Sequence, residues 1–473
     1  MSRRGFLRLG ALAAGGAVLA ACQPAAKPEE KPAEKSAATP MPEQEEATLV
    51  WLVRANPREN HWEEEVAIPA FEEKYPNITI DLMIITTSSG ADWVAKVMSL
   101  YAAGTPADLH NGIVGTFIQL YAEDKVLELT PYIEEDGFDL EPFGSLVKDP
   151  DMCRSGKQMA MPILTTAACP MFYNMDLFDE AGLDYPPTDW NDESWTWDRV
   201  VELGTKLTKN YGTADAVYGF DGGGQFHQWA YVFGGDCWKM DWYEKAGVVE
   251  EAFDDTDAVI EGCQFWQDLI YKYKITPTPS DSSAISALGN PFKTGRLAMN
   301  WTGGWGYWNY SDVEEFRWGV APTPWAVSNK CVNWTDCVLS PKEGKHPKES
   351  WELIKYLTSQ EGQIDYAKDT GTPPTRIDAV DPWIESMVAT QLGLDADQFR
   401  EVAWGFGDKY MDNWAHYVIR AGEYQQIQNQ HRDMLLNNEL TAEELVATVK
   451  PKMDEVAKNV YNEYKDTPLG KDS

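Results

Sequence analysis

The residues best equipped for chemistry in this chain are flat rings on a flexible turn. From Pro291 to Tyr310 it reads PFKTGRLAMNWTGGWGYWNY, with Phe292, Gly295, Ala298, Met299, Gly303 and Trp305 spaced F-x2-G-x2-A-M-x3-G-x-W. Leu297 to Asn300 is short and apolar enough for a buried strand. Gly303, Gly304 and Gly306 then let the backbone turn sharply and come close to another group. Trp301, Trp305, Trp308 and Tyr310 leave from that turn. Rings so placed suit stacking on a flat, partly apolar ligand such as a sugar ring. The plainer alternative is that they fill core, which aromatics do more often.

Other chemistries find less support. No G-x-S-x-G, H-E-x-x-H or P-loop occurs, and Gly222-Gly223-Gly224 lacks the helix and Lys of a phosphate cradle. Asp189 to Ser194 starts like a calcium loop but lacks Gly at its sixth position and Glu at its twelfth. No C-x2-C pair suggests zinc, so neither metal nor other cofactor is expected. A secreted glycoside hydrolase remains the rival class. It needs two carboxylates about 5 to 9.5 Å apart, and 75 acidic residues leave such a pair open.

Charge narrows the partners. The chain carries 40 basic and 75 acidic side chains, a formal net charge of −35. No basic stripe exists to neutralise phosphate, which argues against nucleic acid or anionic lipid and disfavours an anionic substrate. Apart from Cys22, the cysteines are Cys153, Cys169, Cys237, Cys263, Cys331 and Cys337. An even number permits disulfides, with Cys331 and Cys337 the first pair to examine; buried thiols are the alternative.

Thr48 to Arg54 and Ile78 to Ile85 read as strands, β-branched and apolar. Between them Trp62, Val66, Ala70 and Phe71 keep a helical period, with Pro69 as a kink and Pro76 as a stop. Such a strand–helix–strand unit opens an α/β lobe, whose ligands sit at the carboxyl ends of strands. That places Ala55 to His61 near a cleft, with Arg54, Asn56 and Glu59 as hydroxyl partners. Asp257 to Tyr273 reads as a core helix, and Thr441 with Glu444 forms a capping box in the tail. At the front, Arg3, Arg4 and Arg8 precede an apolar run too short to span a membrane, so residues 1–21 read as an export signal. Residues 22–46, rich in Pro, Ala, Glu and Lys, read as a disordered tether.

The spacing at 291–310 resembles the signature of the family 1 extracellular solute-binding proteins, the sugar-binding receptors of ATP-driven importers that include maltose-binding protein. Other blocks follow in that family's order. Ala102 to Leu109 (AAGTPADL) and Lys125 to Ile133 (KVLELTPYI) come first. Tyr173 to Trp190, Trp351 to Gln363 (WELIKYLTSQEGQ) and Thr370 to Arg376 (TGTPPTR) come after. Ser2 to Arg8 resembles a twin-arginine motif, and Leu19-Ala20-Ala21-Cys22 resembles a lipobox, which implies cleavage before Cys22 and its lipidation.

The resemblance implies a two-lobed α/β fold of the type II periplasmic-binding-protein class. Residues 47–167 with 302–342 would form lobe 1, and 168–301 with 343–473 lobe 2. The chain would first cross between lobes near 156–174 and cross again at the 291–310 stretch. By the same resemblance Trp305 and Trp301 stack on ligand, with Trp334 or Trp190 facing them, and His110, Asn111, Asp236 and Asp336 add polar contacts. The segment Trp334-Thr335-Asp336 departs from the family's Gly-rich turn. The implied protein is a non-enzymatic monomer, exported and lipid-anchored at Cys22 on the outer face of the cell membrane. It would capture a neutral mono- or oligosaccharide and hand it to permease subunits and their ATPase. A binding protein for a non-sugar polar solute is the other alternative.

Overall fold

The computed structural model describes residues 46–471 apart from 88–89, 114, 151, 167–168, 240–241, 243–244, 255–256, 407–409 and 413–417. The signal, Cys22 and the tether through Glu45 lie outside the described residues. Among the described residues, nine strands build the two main sheets: β1 Ala47–Arg54, β2 Ile78–Ile85, β3 Leu109–Gly112, β4 Met161–Thr165, β5 Met171–Asn174, β6 Asp221–Gly222, β7 Met299–Trp301, β8 Trp318–Ala321 and β9 Thr335–Leu339.

The first sheet has the order β2-β1-β3-β9-β4 and the second β8-β5-β7-β6. In the first, β1 runs parallel to β2 and β3, while β9 is antiparallel to β3 and β4. In the second, β5 is antiparallel to β7 and β8, and β6 runs parallel to β7. Strands β1 to β4 therefore end where β9 begins, and β6 to β8 end where β5 begins. Because β4 leads into β5 and β8 leads into β9, those two sheet edges are the ones the chain joins.

The strand sequences follow from burial. Leu49, Trp51 and Val53 of β1 enter one core cluster and Leu52 another, so both faces are covered and an apolar run results. The edge strand β2 is covered less, and Met83 and Ile84 stay partly exposed. From Pro57 to Lys74 the chain is helical, with a π turn at Glu63–Ala67 just before Pro69. Pro69 has no N–H to donate, and the wider turn ahead of it absorbs the lost bond.

Three expectations change. Strand β8 pairs with β5, so 302–342 does not all belong with the first sheet. Helices Pro347–Leu357 and Gln360–Thr370 send Trp351, Leu353, Ile354 and Tyr366 into the first-sheet core, so 343–473 does not all belong with the second. The chain also does not cross at 291–310, because β7 pairs in the second sheet and Tyr307 and Tyr310 pack on Phe172 and Trp318. It crosses between Thr165 and Met171, between Ala321 and Thr335, and again after Thr370, where Val380, Trp383 and Ile384 join the second core.

No disulfide forms among the described residues. Cys331 packs with Cys169, Trp190 and Tyr231, whereas Cys337 enters a different cluster against Gly112. The backbone between them passes Trp334 and turns the two side chains into separate cores.

Candidate functional site

Two crossings meet where the sheet edges are joined. Thr166 donates its N–H to the Trp334 carbonyl at 2.9 Å, and Trp334 returns its N–H to the Thr166 hydroxyl at 3.0 Å. Asn333 Oδ1 accepts from both Thr165 and Thr166, at 3.2 and 3.1 Å. Gly304 presses on the same place: a Cβ there would lie 1.5 Å from the Thr166 carbonyl oxygen. Behind it the Trp301 indole donates to the Cys169 carbonyl and to Thr323. These bonds satisfy polar groups that the crossings would otherwise bury unpaired.

A cavity of about 760 Å³ opens at the carboxyl ends of β6 and β7. Trp305 and Trp334 line one end, with ring centroids 4.8 Å apart and planes tilted by 59°. The floor is Asp221, Asn300 and the glycine loop 222–224. Gly223 has φ +73°, and a Cβ there would strike the Trp229 ring, whose indole donates to the Gly223 carbonyl. Only glycine fits that loop. The far wall comes from helix Asp257–Tyr271 through Trp266 and Ile270, from Thr276 and Ser282, and from helix Ala421–Leu436 through Arg432 and Leu436.

Few charges face this space. Burial pushes the Asp221 carboxyl up to about 6. The Arg432 guanidinium is fixed to Asp433 Oδ1 at 2.8 and 2.9 Å and to the Gly224 carbonyl at 3.0 Å. The Thr276 hydroxyl oxygen is buried with no hydrogen-bond partner.

Of the residues expected at the site, the structure brings together Trp301, Trp305 and Trp334 at this cavity. Trp301 is only 2% exposed, its ring packed against Trp197 and Trp229. Trp190 is core: fully buried, its indole donates to the Val402 carbonyl. His110 is fully buried between Tyr101 and the Asn111 carbonyl, and burial pushes its imidazole down to about 4. Asn111 is buried beside it on β3. Asp236 accepts from the Trp238 N–H in a turn, and Asn56 caps its own helix and bonds Glu59. Asp336 lies 3.9 Å from Arg54, which also holds Glu59. None of these six lines the cavity. Sequence reasoning missed Asp221, Thr276 and Arg432; only the glycine triplet after Asp221 signalled a close backbone approach there.

A family model described as bacterial extracellular solute-binding protein matches residues 55–364. The chain belongs to that family. A binding protein of Brucella abortus is 24% identical over 315 residues, covering 64% of this chain and 70% of its own. The xylose/arabinose-binding protein XacG of Haloferax volcanii is 23% identical over 329 residues, covering 67% of this chain and 66% of its own. Among solved structures, a substrate-binding protein of Listeria monocytogenes in complex with cycloalternan superposes with a TM-score of 0.71 at 19% identity, over 87% of this chain and 99% of that one. The maltose/maltodextrin-binding domain of Bdellovibrio bacteriovorus, bound to maltotriose, gives 0.67 at 17%, over 86% and 99%. This solute-binding protein thus has the two-lobed periplasmic-binding-protein fold, and its family and neighbours are substrate-binding proteins rather than enzymes. Among the described residues no helix is long and apolar enough to cross a membrane.

Proposed function

We propose that this solute-binding protein is the receptor of an ABC importer, exported, lipidated at Cys22 and held at the outer face of the cell membrane as a monomer. It captures a neutral carbohydrate, a mono- or oligosaccharide, between its lobes and passes it unchanged to the permease. The observation that carries this reading is the Trp305–Trp334 pair on a cavity of about 760 Å³ beside two crossings. Tryptophan faces stack on the C–H faces of sugar rings, and Asn300, Thr276 and Gln228 meet hydroxyls. Sugars appear in the names of the Haloferax and Bdellovibrio proteins, which supports the class without naming the cargo.

A thermal-shift screen of the soluble body against sugars, amino acids, short peptides and glycerol phosphate tests this. A ligand at a hundred times its Kd adds about 2.7 kcal/mol to the fold. A rise with one saccharide, and that saccharide recovered intact by chromatography, is the expected result. Release of a product would establish the hydrolase instead, and a rise with peptides or glycerol phosphate alone would sink the carbohydrate reading.

A further inference from the structure

The cavity holds one carboxylate that no described residue balances. Asp221 ends β6, and its Oδ1 accepts the Gly222 N–H at 2.9 Å. No Lys, Arg or His pairs with it among the described residues. Its close neighbours are neutral. The Asn300 amide donates to the Asp221 main-chain carbonyl at 3.1 Å, and the Tyr310 hydroxyl donates to Asn300 at 2.8 Å. Arg432 on the rim is already committed to Asp433, Asn429 and the Gly224 carbonyl. Asp281, on helix Pro279–Ser286, bonds the Thr278 hydroxyl and faces Tyr218. With Arg432 and Asp433 cancelling, Asp221 sets the charge of the cavity. A recessed carboxylate with no counter-ion is costly, and a ligand cation would remove that cost. Indole faces such as those of Trp305 and Trp334 also attract cations.

We infer that the saccharide taken by this cavity carries a protonated amino group, with Asp221 as its counter-ion. The inference rests on the carbohydrate reading and moves it from a neutral sugar to an amino sugar. An N-acetylated sugar has no such charge and leaves Asp221 unpaired. The acidic surface favours the encounter, since a net charge of −35 steers cations inward.

Titration calorimetry on the full chain tests it, with hexosamines and their short oligomers against N-acetylated and unaminated counterparts of equal length. The amino series should bind about tenfold tighter or more, a charge-assisted hydrogen bond's worth. Asp221→Asn should erase that preference, and lowering the pH from about 7, where the ligand amine is mostly charged, to about 5, where the carboxyl of the free protein takes up a proton, should reduce it several-fold. Should Asp221→Asn fail to fold, the pH comparison on the unaltered protein decides. Equal or tighter binding of the neutral series, or a preference that survives Asp221→Asn, overturns the inference and leaves the carbohydrate reading standing. Silence from all three series overturns both.

Discussion

Trp305 and Gly304 are adjacent, yet they do different work. Trp305 is partly buried and keeps part of its ring at the cavity wall against Trp334. Trp305→Ala should therefore leave the melting temperature within a few degrees and weaken saccharide binding by roughly tenfold, about 1.4 kcal/mol. Calorimetry showing unchanged affinity would remove Trp305 from the site. Gly304 contributes no side chain, and its value is the space it leaves for the Thr166 carbonyl. Gly304→Ala puts carbon where a backbone oxygen sits, so the crossing must shift. A loss of about 1–3 kcal/mol in denaturant unfolding is expected. Gly304 and the Trp305 ring were legible together in sequence, because the pattern is local. His110 was not, because a polar side chain on a short strand gives no hint that a central strand will bury it on both faces.

The helical stretch from Pro57 to Lys74 shows what a single element conceals. Its π turn brings Glu63 inward to 3% exposure, where it accepts from Asn60 at 2.7 Å. Burial, with the Glu59 charge adding to it and Asn60 opposing, pushes the Glu63 carboxyl up to about 8. In the unfolded chain a Glu titrates near 4.3. The folded state thus holds the extra proton between these values, and stability falls as pH rises from about 4.3 through about 8. Glu63→Gln keeps an acceptor for Asn60 and needs no proton. Its unfolding free energy should match the parent near pH 4 and exceed it increasingly toward pH 8, by an amount on the order of a few kcal/mol. Parallel curves at all pH values would show that Glu63 titrates normally. The strands flanking this helix were legible from their apolar runs, and Pro69 marked an irregularity. That the irregularity would be a π turn burying an acid was not, since the neighbours that bury Glu63 include Tyr366, some three hundred residues away.

At the scale of the whole molecule the fold class was readable and its partition was not. Blocks such as 351–363 identify an element by themselves, but whether that helix covers the first or second sheet is decided by long-range packing. The same distance problem hides how the lobes are held. Arg58, on the helix after β1, donates to Ser311 at 3.1 Å and to the Thr370 carbonyl at 3.3 Å, and lies 3.5 Å from Asp312. Ser311 and Asp312 follow helix Trp305–Tyr310 of the second lobe, so Arg58 ties the lobes together. In this arrangement the cavity is lined by the second lobe, helix Ala421–Leu436 and the crossing residue Trp334, and by no strand of the first sheet among the described residues. A contact between the lobes in an arrangement whose cavity the first sheet does not line is expected to oppose closure. Arg58 and Asp312 are 34% and 51% exposed, so the pair is worth no more than about 1 kcal/mol. Apparent affinity scales with the fraction of molecules competent to close. Arg58→Ala should then tighten saccharide binding by up to about fivefold, and the gain should shrink as salt screens the pair. Weaker binding, or a gain indifferent to salt, would mean that the contact acts in the closed state or not through charge.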